Sequence, residues 1–459
     1  MFRKKSLDEW ALDYWFLQQY AKLCFNIYYR KVEVINRHRI PLNQPVILAP
    51  NHQNALMDAM LLVCRTPFQN VFLARADIFK GRRIIKFLTY VNIMPVYRIR
   101  DGIENVKRND EVFDKTVKVL HNRHNPLSVF PEGNHGDKRR LRSLVKGLFR
   151  IAFQAQEKYG TEAAVKIVPI GIDYGHYQNF RTTLFMNVGE PIEVSEFMDS
   201  YNENPVLGLN RIKNAFAAAL SKQMIDIQTE DYYDLYMHLR EIYNKEMRNL
   251  LDIQEKTLAG KFRADKIMID CLNHALTADP ELIKHLDEKV KQYDQGLKKA
   301  RLRDWVIEHE KFSGPLLLLS SLVQVVLFPV FAFGFINNYL PYRFINGRTK
   351  NIKDPQFFSS FKFAIGMISF PVWYLAVAGI LVFSPLSPGL ILLYIALLPI
   401  AGLFAFHYFI RMKKLMAAWR FFLGRKTMDI KNLGNLRRDI IQQTGHIITR
   451  NRIAHENSR

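Results

Sequence analysis

Residues 46–58 read Val-Ile-Leu-Ala-Pro-Asn-His-Gln-Asn-Ala-Leu-Met-Asp. The apolar run Val46–Ala49 has the length of a short buried strand. Pro50 and Asn51 interrupt it, and a helical pattern follows over 54–64. A strand that passes directly into a helix is the repeating unit of an α/β layer. The same stretch places His52 just beyond the strand, at the mouth of the helix, with Asp58 one to two turns further on. A carboxylate bonded to one imidazole nitrogen fixes the tautomer in which the other nitrogen accepts a proton. The pair therefore has the makings of a general base and its orienting group.

The alternation continues outward from this stretch. Asn70–Leu73, Asn92–Tyr97, Leu127–Phe130, Val165–Ile170 and Leu184–Val188 read as strands, and 82–90, 105–122 and 145–158 read as helices. The pattern predicts an α/β domain with a mixed, largely parallel sheet flanked by helices. Beyond about residue 206 the strand signal stops, and charged, helix-periodic runs continue to 311.

Three further groups carry chemistry. Phe130-Pro131-Glu132-Gly133-Asn134-His135-Gly136-Asp137 follows a strand and puts Glu132 at that strand's carboxyl end. Ligands collect beyond those ends in open α/β sheets, so His52 and Glu132 are expected to face one cleft. Lys138, Arg139, Arg140, Arg142 and Lys146 come next. Ile93-Met94-Pro95-Val96-Tyr97-Arg98-Ile99-Arg100 ends a strand in two arginines suited to phosphate. Ile167-Val168-Pro169-Ile170-Gly171 is an apolar strand edge suited to walling the cleft.

In this order, Asn51-His52…Asp58, Pro95…Arg98, Phe130-Pro131-Glu132-Gly133 and Val168-Pro169-Ile170 resemble the motifs of the glycerolipid acyltransferase superfamily. That superfamily includes the glycerol-3-phosphate and 1-acylglycerol-3-phosphate acyltransferases, and the closest resemblance is to members with a C-terminal membrane region. It covers residues 30–200. The resemblance implies transfer of a fatty acyl group from acyl-CoA or acyl-carrier protein, as co-substrate, to a glycerol-phosphate hydroxyl. It also implies His52 and Asp58 as catalytic residues, with Arg98, Glu132, Gly133, Arg100, Asn134, Lys138 and Arg139 binding substrate. No further cofactor and no metal is expected. Five residues separate His52 from Asp58, one more than the usual four. An extra residue turns a helix by about 100°, so a bulge or a shifted helix start must restore the contact. Two alternatives remain: a lysophospholipid or amino-acid-lipid O-acyltransferase, and a non-catalytic membrane lipid-binding protein.

The charge pattern adds a membrane. The 459 residues carry a formal charge of +22, yet 312–342 and 363–410 contain no Asp, Glu, Lys or Arg. Gly314–Leu340, Ala364–Phe383 and Gly389–Ile410 are apolar enough to enter a bilayer. The last two read as an antiparallel pair of spans about the turn Ser384–Pro388. Gly314–Leu340, with Pro329 and Asn337-Asn338, reads as a re-entrant or broken hairpin, or else as a simple span. The basic excess at 343–362 and 411–459 assigns both flanks to the cytoplasmic side. The expected product is an integral membrane protein with its catalytic domain on the cytoplasmic face, at the inner membrane if bacterial. Its partners are membrane lipids, an acyl donor and a phosphorylated glycerol acceptor, and no nucleic acid. The remaining basic excess, at 75–108 and 138–150, lies beside the motifs.

The organisation predicted is an amphipathic interfacial helix (1–30), an acyltransferase domain (31–205), a helical connector (206–311), a membrane region (312–410) and a basic cytoplasmic tail (411–459). In the first segment Trp10, Tyr14, Leu17, Ala21, Cys24 and Tyr28 recur at helical spacing. Aromatic amphipathic helices suit a membrane interface, the alternative being a helix docked on the domain's own core, and a cleavable signal does not fit these residues. With 49% hydrophobic residues the chain is not disordered. Its three cysteines, Cys24, Cys64 and Cys271, have no disulfide-scaffold or metal spacing.

Overall fold

The computed structural model describes residues 10–97, 109–122, 125–160, 163–309, 311–425 and 427–456. The chain divides into two compact units. Residues 1–226 and 352–363 form the first, and 227–351 with 364–459 form the second.

The first unit opens with α1 (Leu12–Tyr28) and β1 (Lys31–Ile35), followed by β2 (Val46–Pro50) and α2 (Ala55–Arg65). Next come β3 (Val71–Arg75), α3 (Arg82–Tyr90), β4 (Ile93–Val96), α4 (Asn109–Asn122), β5 (Leu127–Ser128) and α5 (Gly147–Tyr159). The unit continues through β6 (Lys166–Tyr174), β7 (Thr183–Val188), β8 (Ile192–Glu193), α6 (Met198–Glu203) and α7 (Pro205–Gln223). The sheet order is β1-β7-β6-β2-β5-β3-β4, with β8 also paired to β6. Strands β6, β2, β5, β3 and β4 are mutually parallel. β7 and β8 run antiparallel to β6, and β1 is parallel to β7. The sheet is therefore mixed, as expected.

β2 lies between β5 and β6, with all five of its residues buried, which is why it reads as a continuous apolar run. Ile47, Val71, Leu127 and Ile167 meet Phe149, Ile151 and Phe153 of α5 and Ile212, Phe216 and Leu220 of α7 in one core. β1 and β8 were not expected. β1 (KVEVI) interleaves charge with valine at a sheet edge, and β8 is only two residues long.

Much of the α1 stripe packs on the protein: Tyr14, Ala21 and Tyr28 are buried, Trp10 at its start is exposed, and Gln18 Nε2 donates to the carbonyls of Val63 and Phe68. Burying a polar side chain requires such partners, and α2 supplies them. The opposite face exposes Leu12, Phe16, Leu23 and Ile27. The unit also runs to Asp226, past the boundary at 205. Helix α7 packs on β6 closely enough that a Cβ on Gly171 would strike the Gln223 carbonyl oxygen.

The second unit contains α8 (Tyr233–Ile242), α9 (Asn244–Leu250), α10 (Leu258–Ala278), α11 (Pro280–Ala300) and α12 (Asp304–His309). A buried pair, Arg240 Nε to Asp265 Oδ2 at 2.9 Å, joins α8 to α10. Asn244 Nδ2 donates to the other Asp265 oxygen at 2.6 Å. Then come α13 (Gly314–Thr349), α14 (Phe358–Leu381), which begins within the 352–363 segment of the first unit, α15 (Pro388–Gly424) and α16 (Met428–Glu456). The expected tail is thus structured. Helix α16 packs on α10 and α11, burying Leu433, Ile440, Ile447 and Ile448.

Among the described residues three helices, α13, the helix ending at Leu381 and α15, are long and apolar enough to cross a membrane. The re-entrant reading of 314–340 is corrected: α13 is one unbroken helix of 36 residues, with Pro329 and Pro341 inside it. It is about 54 Å long. Asn337 and Asn338 bond to neighbouring helices rather than breaking their own. Tyr374 of α14 donates to Asn338 Oδ1 at 2.7 Å, and Tyr394 of α15 donates to Asn337 Oδ1 at 2.6 Å. Asn338 Nδ2 donates to the Leu398 carbonyl at 3.1 Å. In an apolar bundle such amides, Asn338 buried and Asn337 half-buried, act as interhelical ties.

Candidate active site

β2 and β5 are adjacent and parallel, with Leu48 opposite Ser128. Their carboxyl ends therefore deliver the loops carrying His52 and Glu132 to the same edge of the sheet. A backbone contact joins the loops: Gly136 N–H donates to the His52 carbonyl at 3.1 Å.

His52 Nδ1 lies 2.8 Å from Asp58 Oδ2, so the pair expected from sequence is assembled. The extra residue between them is absorbed where α2 begins. Ala55 takes φ +40°, a left-handed value rare for a residue with a Cβ. That turn points the N–H groups of Gln53 and Asn54 at Asp58 Oδ2, each at 2.8 Å. The hydroxyl of Tyr174, at the end of β6, donates to Oδ1 at 2.6 Å. Burial and the neighbouring Asp58 carboxylate push the Tyr174 phenol well above its ordinary value, which keeps it a donor. Asp58 is 0% exposed. A carboxylate removed from water in this way needs compensating donors, and here it has four. With Nδ1–H donated to Asp58, His52 Nε2 is left as an acceptor. The ring stacks on Phe130 at 4.0 Å and meets the His135 ring edge-on at 5.6 Å.

Glu132 is buried, and both of its oxygens have protein donors. Oε1 accepts from the His52 N–H at 2.8 Å, and Oε2 accepts from Arg142 Nε at 2.7 Å. Burial raises the carboxyl above its usual range, opposed by the Arg142 charge and the His52 N–H. Both contacts give Glu132 the task of fixing the His52 loop, a role beside the substrate binding that the resemblance implies for it. Arg142 also donates to the carbonyls of His135, Asn134 and His52. It therefore ties the two loops together. Sequence reasoning placed it only in a basic cluster, because nothing in its spacing reveals these partners.

The other expected binding residues divide. Gly133 adopts φ +66°, and a Cβ there would lie 2.9 Å from Val145 Cγ1, which accounts for the glycine. Asn134 and Lys138 are exposed beside the site. Arg139 is buried, with Nε 2.6 Å from Asp173 Oδ1 and its guanidinium 4.9 Å from the centre of the Tyr177 ring. It braces β6 and is not placed to take a phosphate. Arg98 and Arg100 lie outside the described residues. Asn51 and Tyr174 were not singled out. Asn51 exchanges two hydrogen bonds with the backbone of Ile172, at 3.1 and 2.7 Å. Both of these contacts bridge residues more than a hundred positions apart, so no local pattern signals them.

Residues 31–173 match the acyltransferase family model. Glycerol-3-phosphate O-acyltransferase 1 of Saccharomyces cerevisiae is 30% identical over 119 residues, covering 26% of this chain and 15% of the yeast protein. Glycerol-3-phosphate O-acyltransferase 2 of the same yeast is 23% identical over 247 residues, covering 51% of this chain and 30% of that protein. The matches thus span less than a third of the length of these relatives. Among solved structures, the 1-acyl-sn-glycerophosphate acyltransferase of Thermotoga maritima aligns at 21% identity and a TM-score of 0.31. That alignment covers 44% of this chain and 79% of that one.

Proposed function

We propose that residues 31–173, which match the acyltransferase family model, form a domain of the glycerolipid acyltransferase superfamily, and that the chain is a membrane-embedded O-acyltransferase of phospholipid synthesis. It moves a fatty acyl group from an acyl thioester to a hydroxyl of glycerol 3-phosphate or 1-acylglycerol 3-phosphate. The observation that carries this reading is the His52–Asp58 pair, held by a buried carboxylate with four donors.

In the reaction, the acceptor hydroxyl loses its proton to His52 Nε2 as its oxygen attacks the thioester carbonyl carbon. Asp58 stabilises the imidazolium so formed. The carbon–sulfur bond then breaks, and the thiolate leaves with the proton returned by His52. Glu132 and Arg142 hold the loop on which His52 sits. Arg98, with Arg100 and Lys138 as further candidates, is proposed to bind the acceptor phosphate, because guanidinium and ammonium groups suit that anion. The relatives named above support a glycerol-phosphate acceptor. The basic flanks 343–362 and 411–459 support a cytoplasmic catalytic face; because residues 1–226 and 352–363 form one unit, both ends of α13 belong to that face, and α14 with α15 is proposed as the crossing pair.

The test uses the full chain, purified in detergent and supplied with acyl-CoA or acyl-carrier protein as donor. Glycerol 3-phosphate, 1-acylglycerol 3-phosphate and lysophospholipids are offered in turn as acceptors. One of the two glycerol phosphates is expected to be preferred, and His52→Ala is expected to abolish turnover while leaving expression intact. Near-normal turnover in that variant would overturn the assignment. Preference for a lysophospholipid would move the acceptor.

A further inference from the structure

Residues 352–363 follow α13 in sequence and include the first residues of α14, yet they belong to the acyltransferase unit. Their contacts converge on the loops that carry His52 and Glu132. Ser360 Oγ accepts from the Leu56 N–H at 3.1 Å and reaches the Asn54 carbonyl at 3.5 Å. The Ser359 hydroxyl donates to Asn54 Oδ1 at 2.5 Å. Both serines are buried. Asp354 Oδ2 lies 3.2 Å from His135 Nε2, and the Phe357 ring meets the His135 ring edge-on at 4.6 Å. Phe363 closes the far end, 5.6 Å from Tyr28 and 6.2 Å from Phe25.

These contacts fall where the catalytic loop is least self-supporting. Helix α2 starts without a side-chain cap of its own, because the Asn54 side chain is engaged by Ser359 and by the Tyr177 carbonyl. The first-turn N–H of Leu56, one of the donors a helix start leaves without an intrahelical partner, is satisfied from Ser360, about 300 residues away in sequence. The next residue upstream is Ala55, whose left-handed conformation lets Gln53 and Asn54 aim their N–H groups at Asp58. Such a conformation persists only where its surroundings over-determine it.

We propose that residues 352–363 are a positioning clamp for the catalytic pair, and that Ser360 is the residue through which the clamp sets the Asn54–Ala55 turn and hence Asp58 and His52. This rests on the acyl-transfer reading above and adds a requirement to it. The chain between two of its apolar helices completes the catalytic loop, so residues 1–226 are not catalytically self-sufficient without that segment. Ser360 touches no reacting atom. It acts through the turn, and a displacement of about 1 Å in a catalytic group lowers turnover about a hundredfold.

The test measures kcat and KM for the full chain in detergent with Ser360→Ala, Ser360→Thr and Asp58→Asn. Ser360→Ala is expected to lower kcat about 10- to 100-fold with KM little changed, and Ser360→Thr, which keeps the hydroxyl, to recover most of the loss. Combining Ser360→Ala with Asp58→Asn should add little to Asp58→Asn alone, because both act through one carboxylate. If Ser360→Ala does not accumulate, the near-isosteric Ser360→Cys, a weak acceptor, takes its place. A normal kcat in the variant, or a fall that multiplies fully with that of Asp58→Asn, overturns the clamp. An active His52→Ala would instead overturn the acyl-transfer reading, so the two failures are distinguishable.

Discussion

Asp58 concentrates the chemistry of the site at a single residue. A fully buried carboxylate is tolerated because Tyr174, His52 and two backbone amides surround it. Tyr174→Phe removes one donor and leaves the ring, so it should cost about 1–3 kcal/mol of stability and lower kcat more than it changes KM. Thermal midpoints and steady-state kinetics check both. His135 provides a pH handle nearby. Burial lowers its ordinary value, outweighing the attraction of Asp354, while the His52 ring, whenever protonated, and the Arg142 charge lower it further. The folded protein therefore binds fewer protons at His135 than the unfolded chain does. This contribution to stability is present above about pH 6.5 and is lost as pH falls through the depressed folded value. The thermal midpoint should drop between pH 7 and 5, and His135→Gln should flatten that drop.

Among the elements, α13 taught the clearest lesson about reading sequence. Pro329 and Asn337-Asn338 predict a break, because proline removes a helical hydrogen bond and asparagine is costly in an apolar setting. The helix continues because Tyr374, Tyr394 and the Leu398 carbonyl take up the asparagine side chains. Gly334 adds to this: a Cβ there would collide with the Ala401 carbonyl oxygen, so the two helix backbones are in direct contact. Asn338→Leu should weaken this packing by about 0.6–2 kcal/mol, and Gly334→Leu should weaken it more. Both effects are measurable as loss of thermal midpoint in detergent with the wild type as reference. α1 carries the same lesson in reverse. Its stripe at helical spacing was real, but periodicity reports that one face is buried without saying whether lipid or protein covers it.

For the whole molecule, the charge distribution yields a testable orientation. Basic residues flank the apolar helices at 343–362 and 411–459, and the turn at 382–387 carries none. In a background with Cys24, Cys64 and Cys271 replaced by alanine, a cysteine at Leu386 should react with a membrane-impermeant thiol reagent added outside intact cells. A cysteine at Asn435 should react only after the membrane is opened. The reverse pattern would invert the proposed topology.

The sequence by itself determined the α/β class, six of the eight described strands, the pairing of His52 with Asp58 and the position of the apolar segments. Each of these is written in local periodicity or in short motifs whose residues are neighbours in the chain. Tertiary structure alone decided how Asp58 is held, which oxygens Glu132 has committed, that α13 is unbroken, and that residues 352–363 contact the loops carrying His52 and Glu132. Those outcomes depend on hydrogen bonds between groups far apart in sequence, such as Tyr174 to Asp58 and Ser360 to Leu56. A buried polar group takes whichever partner the fold brings within about 3 Å, and no local pattern records which one that will be.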